Sequence, residues 1–129
     1  MLPPHDAEHL SDRAPDHSVT SEAGMICVVL PSFPLPPGFD RLSADLLLRL
    51  SPGYPDVPPD MWWFNPPVRR TDGAEIAATQ SYERHLGKEW QRWSRHLDPA
   101  QWRSGVDSLQ SYLALVQKEL RAAAPAVAA

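Results

Sequence analysis

The sequence predicts an α+β domain, in which an antiparallel β-meander packs against one long C-terminal helix. Three short apolar or aromatic runs, each followed closely by proline, predict strands over Met25–Leu30, Ser43–Leu50 and Met61–Phe64. Short connections between these runs favour a meander. An apolar stripe at spacings of three and four then predicts the helix; it consists of Val106, Leu109, Leu113, Val116 and Leu120. Strands that precede a helix, rather than alternate with helices, indicate the α+β class.

Composition supports a folded chain with one core. Proline makes up 15 of the 129 residues, which argues against a helical bundle because an interior proline removes a backbone donor. Hydrophobic residues reach 43% and include five tryptophans, too much apolar surface for a solvated tail. We expect an N-terminal arm over residues 1–23, a domain over 24–121 and a flexible tail over 122–129. The arm is either loose or a short amphipathic piece around Glu8–Arg13.

Charge and cysteine content exclude several classes of function. The net charge of −4 gives no electrostatic case for a nucleic-acid partner. The single cysteine, Cys27, excludes an internal disulfide and a cysteine-built zinc site. No apolar run approaches the roughly 18 residues that span a bilayer, and the N-terminus lacks a signal pattern. We therefore expect a soluble cytoplasmic protein with no membrane partner.

The second half of the chain is less regular. Aromatic residues alternate with charged ones between Ser81 and His96, which we interpret as an irregular segment or short helical turns. Asp98 before Pro99 predicts a capped one-turn helix. Ser104, with Asp107 three residues later, predicts the cap of the final helix.

Ser94 is the strongest candidate for chemistry. A serine hydroxyl needs a neighbouring base, usually histidine, to act as a nucleophile. The chain has only two histidines outside the N-terminal arm, His85 and His96, and both lie within ten residues of Ser94. The competing interpretation, which the residues alone favour, is an ordinary loop or capping serine.

Two other groups of residues, a possible metal site and a possible reactive thiol, are weaker candidates for chemistry. His85 and His96 with Glu83 or Asp98 match no recognised metal-ligand spacing, so we predict no metal and no other cofactor. Cys27 lies within a predicted strand, where a buried, unreactive thiol is the expected state.

A proline-rich turn carries a family resemblance. Residues 51–59, Ser-Pro-Gly-Tyr-Pro-Asp-Val-Pro-Pro, resemble the Tyr-Pro-x-x-Pro-Pro turn of the ubiquitin-conjugating enzyme (UBC) superfamily, which also links two strands of a meander. Ser94 stands eight residues before Trp102, the spacing of that superfamily's nucleophilic cysteine from its tryptophan. Trp90–His96 further resembles the prokaryotic branch called family E. The resemblance covers about Met25–Leu120.

The resemblance implies partners, and it also shows where this chain differs from the superfamily's motifs. Members of that branch are typically encoded beside ubiquitin-like proteins, an activating enzyme and a deconjugating peptidase. Here the nucleophile position carries Ser94 instead of a thiol, and the superfamily's His-Pro-Asn tripeptide is absent. His85 falls near the place of its histidine, whereas Asn65 comes too early to stabilise an oxyanion. The superfamily's first helix is not evident unless the arm supplies it.

The resemblance first implies a catalytic function. Ser94 would accept the C-terminus of a ubiquitin-like protein from the activating enzyme as an oxyester and pass it to an amine or hydroxyl. His96 or His85 would be its base. Arg92, Arg95 or nearby backbone N–H groups would stabilise the oxyanion. An unrelated serine hydrolase is disfavoured because no Gly-x-Ser-x-Gly turn surrounds Ser94.

The alternative function is a catalytically inactive module that binds and positions a ubiquitin-like protein or its activating enzyme. Trp62 and Trp63 point to opposite faces if their segment is a strand, so one of them belongs to the core and the other faces solvent, a cover or a partner. That tryptophan, with Tyr54 of the proline-rich turn, would form the docking face.

Overall fold

A computed structural model describes residues 2–126 as one antiparallel sheet with two α-helices. The strands are β1 (Ser18–Glu22), β2 (Met25–Pro34), β3 (Ser43–Leu50), β4 (Trp62–Asn65), β5 (Tyr82–His85) and β6 (Lys88–Trp93). The helices are α1 (Pro4–Arg13) and α2 (Leu109–Ala123), and Pro99–Gln101 forms a single 3₁₀ turn. The predicted α+β class is confirmed.

The sheet has the strand order β1-β2-β3-β4-β6-β5. The first four strands pair in sequence as a meander, and the three predicted strands correspond to β2, β3 and β4. β6 then pairs with β4, with Trp63 opposite Arg92, and β5 forms the outer edge. The strand that follows the proline-rich turn, β4, therefore lies beside β6, the strand that ends just before Ser94.

The interpretation of residues 81–96 as irregular or helical is wrong, because most of this segment is the hairpin β5–β6. Its turn is Leu86-Gly87, with φ of 54° and 75°. Positive φ at both central residues is the geometry whose twist suits a two-residue hairpin, and it is unusual for leucine. The alternation of aromatic and charged residues is therefore the period of a strand.

The helix α2 covers one face of the sheet. Leu109, Val116 and Leu120 are fully buried there, but Val106 is 65% exposed because the helix begins later than its apolar stripe suggests. The predicted cap at Ser104 is wrong: Ser108 is the cap, and its backbone N–H donates to Ser111 Oγ over 3.0 Å. The predicted one-turn helix after Asp98 is confirmed, with Asp98 accepting from Ala100 N over 3.0 Å.

The N-terminal segment joins the same core. Leu10 of α1 is fully buried against it, and β1 pairs along β2. Asp6 of α1 accepts hydrogen bonds from Tyr54 Oη over 2.6 Å and from Leu109 N over 2.9 Å. The helix that the sequence does not show is thus supplied by the residues expected to form an arm. At the other end α2 extends to Ala123, and the last three residues of the expected tail lie outside the described residues.

A second, smaller cluster lies on the opposite face of the sheet. It consists of Cys27, Leu47, Trp63 and Trp90, and Leu86 of the hairpin turn packs against it. Trp62 and Trp63 are 0% and 3% exposed and belong to different clusters, so of the expected alternatives for the second tryptophan the structure shows a cover and not solvent. The helices bury Trp62 and the folded-back hairpin turn contributes to burying Trp63. Cys27 is 0% exposed, as predicted.

Candidate functional site

Ser94 lies where the chain leaves the sheet. It directly follows β6, and the N–H of Arg95 donates to the carbonyl of Trp93 over 3.0 Å, which makes Ser94 the centre of a three-residue turn. Its own N–H donates to Ala78 O over 3.0 Å. The backbone of a half-buried serine is therefore held on both sides.

Arg92 contacts the hydroxyl of Ser94 directly. Its Nε donates to Ser94 Oγ over 3.0 Å, while its Nη1 forms an ion pair with Glu83 Oε2 at 2.8 Å. Arg92 and Ser94 are two residues apart where β6 ends, so their side chains point to the same face of the sheet, the one opposite the helices. A fixed guanidinium at this place favours negative charge on the hydroxyl oxygen or on a carbonyl oxygen bound beside it.

Glu83 fixes that guanidinium. Besides Arg92, its carboxylate accepts from Trp63 Nε1 over 2.9 Å and contacts His85 Nε2 at 3.1 Å. Burial opposes ionisation of Glu83, but the bonds from His85, Trp63 and Arg92 outweigh it, and its pKa lies below the ordinary value. Glu83 is thus an ionised centre that joins β4, β5 and β6.

His85 is directed toward carboxylates rather than toward Ser94. Its Nε2 contacts Glu83, and its Nδ1 lies 3.8 Å from Glu22 Oε1. Its ring meets Trp63 edge-on at 5.5 Å, and its side chain is only 11% exposed. Within residues 2–126, no hydrogen bond joins His85 to Ser94. The surroundings of His85 are those of a supporting residue.

His96 lies in a more open environment. Its Nδ1 is 2.7 Å from Asp60 Oδ1, and the two side chains are 63% and 58% exposed. Nε2 of His96 has no hydrogen bond to any other described residue, Ser94 included. A carboxylate on Nδ1 with a free Nε2 is the arrangement of a histidine base.

Arg95 points to the helix side of the sheet. Its Nη1 donates to Ala77 O over 2.8 Å, and its guanidinium lies 5.0 Å from the ring of Trp93. Burial lowers its pKa, although Glu119, 3.7 Å away, opposes the shift. Of the two arginines predicted beside Ser94, the described structure brings only Arg92 into contact with it.

The proline-rich turn and Trp102 meet in space. Trp102 Nε1 donates to Pro55 O over 2.8 Å, and the rings of Tyr54 and Trp102 are 6.0 Å apart. Tyr54 is 8% exposed and its hydroxyl is bound to Asp6. Tyr54 therefore joins the two motif pieces instead of presenting a free surface.

The part of the chain that the structure describes contains neither a metal-binding cluster nor a membrane-spanning helix. No grouping of three histidine, cysteine or carboxylate side chains there has the geometry to hold a metal ion. None of the helices there combines the length and apolarity needed to cross a bilayer.

Two carboxylates of the site were missed by reasoning from sequence. The sequence offers Glu83 only as a possible metal ligand, and it offers no role for Asp60. The signal for Glu83 was its strand period: it lies opposite Trp90, on the face that also carries Arg92. Asp60 lies 36 residues before His96, and no local pattern links the two.

An antiparallel meander with a helix on one face, and a proline-rich turn packed against a tryptophan just before that helix, define an E2-like fold. A family model described as prokaryotic E2 family E matches residues 2–123. The chain belongs to prokaryotic E2 family E. No curated protein and no solved structure matches it significantly. Membership supports a role in ubiquitin-like protein conjugation, with a ubiquitin-like protein and an activating enzyme as the general partners.

Proposed function

We propose that this chain is a conjugating enzyme that carries the C-terminus of a ubiquitin-like protein on Ser94 as an oxyester. The observation that carries the proposal is the 3.0 Å contact from Arg92 Nε to Ser94 Oγ. It places a fixed cation at the residue that stands eight positions before Trp102, where the superfamily has its nucleophile. A fixed guanidinium, held in turn by the half-buried carboxylate of Glu83, is not needed by a serine that only belongs to a loop.

The first step is transfer from the activating enzyme. Ser94 Oγ attacks the carbonyl carbon of the thioester and gives its proton to His96 Nε2. Arg92 stabilises the oxyanion of the tetrahedral intermediate. The carbon–sulfur bond then breaks, and the departing sulfur takes the proton from His96. Among the described residues no hydrogen bond joins Ser94 to His96, so this contact would form only when substrate binds.

The second step passes the acyl group to an acceptor. An amine or hydroxyl attacks the oxyester carbonyl and gives up its proton to His96. The bond between the carbonyl carbon and Ser94 Oγ breaks, and His96 returns the proton to that oxygen. His96 is preferred to His85 as the base because its Nε2 is open, whereas both nitrogens of His85 face carboxylates.

Replacing Ser94 tests the proposal. The chain is incubated with the activating enzyme, nucleotide and the ubiquitin-like protein, and adducts are resolved by electrophoresis and mass spectrometry. We expect an adduct that survives thiol reductant, is cleaved by mild base and is absent in Ser94→Ala. Ser94→Cys should instead give an adduct that reductant cleaves.

Ser81→Ala is the matched control, since Ser81 is an exposed serine that directly precedes β5. It should form the adduct at the wild-type rate. An adduct that persists in Ser94→Ala, or no adduct in the wild type, contradicts the proposal.

The alternative of a non-catalytic binding module finds less support in the same geometry. It relied on an exposed tryptophan beside Tyr54, but Trp62, Trp63 and Tyr54 are all buried. Binding of the partner that is tight, with conjugation unaffected in Ser94→Ala, His85→Ala and His96→Ala, would nevertheless favour it.

A further inference from the structure

The backbone beside Asp60 is held in an unusual conformation. Met61, the next residue, has φ of 61°, which is the left-handed region and rare for a long side chain. Its N–H donates to Arg95 O over 3.0 Å, and its carbonyl accepts from Tyr112 Oη over 2.8 Å. Such conformations persist where the surroundings over-determine them, and they cluster at functional sites.

Beside this residue, Asp60 contacts the side chain of His96, which follows Arg95 in the sequence. Asp60 Oδ1 lies 2.7 Å from Nδ1 of His96, and the two residues come from segments 36 positions apart. A carboxylate that accepts from Nδ1–H leaves Nε2 without a proton, as an acceptor. With 63% of the His96 side chain exposed, that nitrogen is open to a bound substrate.

The other polar groups near His96 do not compete for that role. A small cavity of about 80 Å³ beside it is lined by Arg95, Tyr112 and Glu119, among others. The hydroxyl of Tyr112 is committed to Met61 O, and burial, reinforced by the charge of Asp60, raises its pKa. Arg95 and Glu119 lie 3.7 Å apart and pair with each other.

We propose that Asp60 is a positioning residue for acyl transfer, which fixes the tautomer and orientation of His96 so that its Nε2 serves as the base for Ser94. The inference rests on the proposed function of Ser94. When Nε2 takes the proton from Ser94 Oγ, the Nδ1 proton stays on the ring, and Asp60 balances the positive charge of the imidazolium. The proton later leaves from Nε2 to the departing group, so Asp60 itself gains and loses none.

The test combines a spectroscopic and a kinetic readout on the full chain. In an isotope-labelled sample at mildly alkaline pH, the imidazole nitrogens of His96 should report the Nδ1–H tautomer. His96→Ala identifies the signals. In Asp60→Ala the other tautomer should appear. Single-turnover formation of the Ser94 adduct should slow about 10- to 100-fold in Asp60→Ala, and Asp60→Glu should restore most of the rate.

Asp56→Ala is the control, because Asp56 is an exposed carboxylate of the same connection that binds Ser104 instead of a histidine. It should leave both readouts unchanged. If Asp60→Ala keeps the wild-type tautomer of His96, or changes the tautomer but not the rate, the role of Asp60 is overturned. Neither result affects the proposed function of Ser94. An adduct that survives Ser94→Ala overturns the proposed function and with it the reaction assigned to Asp60.

Discussion

The indole N–H of Trp63 donates to Oε1 of Glu83 over 2.9 Å, so a buried aromatic residue of β4 orients the carboxylate that holds Arg92. The bond connects the second cluster to the candidate nucleophile. One carboxylate oxygen of Glu83 accepts from Trp63 and the other pairs with Arg92 Nη1. Arg92 Nε is thereby left to donate to Ser94. The packing of this face and the chemistry proposed for Ser94 therefore depend on the same residues.

Replacing Glu83 by glutamine should weaken both stability and catalysis. The amide keeps the size of the side chain but loses the charge that holds Arg92 and one of the acceptor positions. We expect the free energy of unfolding to fall by about 1–2 kcal/mol and adduct formation on Ser94 to slow about tenfold. Urea unfolding and single-turnover assays measure the two effects.

Glu75→Gln serves as the control for Glu83→Gln, because Glu75 is an exposed carboxylate in the loop before β5. It should change neither quantity by more than experimental error. Equal effects of the two substitutions would show that Glu83 has no special part in fixing Arg92.

The stabilisation from Glu83 should disappear in acid. Its pKa in the folded protein lies below the ordinary value of 4.5, so the stabilisation is fully present above that value. It is then lost as the pH falls through the lower pKa of the folded state. The difference in unfolding free energy between wild type and Glu83→Gln, measured at a series of pH values, should therefore shrink below about pH 4.5. A difference that is constant with pH would contradict the assignment of an ionised Glu83.

Removing the hydroxyl of Tyr54 should destabilise the fold without a direct effect on chemistry. Burial, followed by the hydrogen bond and charge of Asp6, raises the pKa of Tyr54, so the hydroxyl remains a donor to Asp6. Tyr54→Phe leaves the carboxylate of buried Asp6 with the N–H of Leu109 as its one partner among the described residues, at a cost of about 1–3 kcal/mol. Thermal unfolding measures the loss.

The exposed Tyr82 provides the comparison for Tyr54→Phe. Its hydroxyl accepts from Arg69 Nη2 at the surface, over 3.2 Å, so Tyr82→Phe should cost less than about 0.5 kcal/mol. A melting temperature of Tyr54→Phe equal to that of Tyr82→Phe would argue against a buried Asp6–Tyr54 bond.

Two valines of the same apolar stripe should respond very differently to truncation. Val116 is fully buried in α2, and Val116→Ala should cost about 1–3 kcal/mol through lost packing. Val106 precedes the helix and is 65% exposed, so Val106→Ala should cost less than about 0.5 kcal/mol. Denaturant unfolding distinguishes this result from a helix that starts at Ser104, in which the two losses would be similar.

The parts of the fold that sequence predicts are those with a local signal. The strands β2 to β4, the turn at Pro99 and the body of α2 follow from runs of apolar residues and their periods. The hairpin β5–β6 was missed because its turn places Leu86, a residue that disfavours positive φ, where glycine or asparagine is usual. The buried face of α1 was missed because only Leu10 supplies a large apolar side chain and the other inward residue is Asp6.

The candidate site divides in the same way. Ser94 follows from its spacing to Trp102, whereas the sequence leaves Arg92 and Arg95 as equal candidates beside it. Only β6, which the sequence does not show, puts Arg92 in contact with Ser94. The partners Asp60 of His96 and Glu22 of His85 come from segments remote in sequence, and only the folded chain reveals them. The tryptophans were placed on opposite faces, which the register supports, but their burial depends on the hairpin turn that the sequence did not show.

The bond from the N–H of Leu86 to Glu22 Oε2, 2.8 Å long, joins the end of β1, at one edge of the sheet, to the β5–β6 turn at the other edge. Glu22 belongs to residues 1–23, which the sequence pattern presents as a loose arm that could be removed for expression. A chain trimmed to begin at residue 24 would lose the Glu22–Leu86 bond and the carboxylate beside His85. The β5–β6 turn that packs against the Trp63 cluster would then be less firmly held. Because Glu83 lies in the same hairpin, its ion pair with Arg92 would weaken as well. Recombinant work on the proposed acyl transfer should therefore retain residues 1–23.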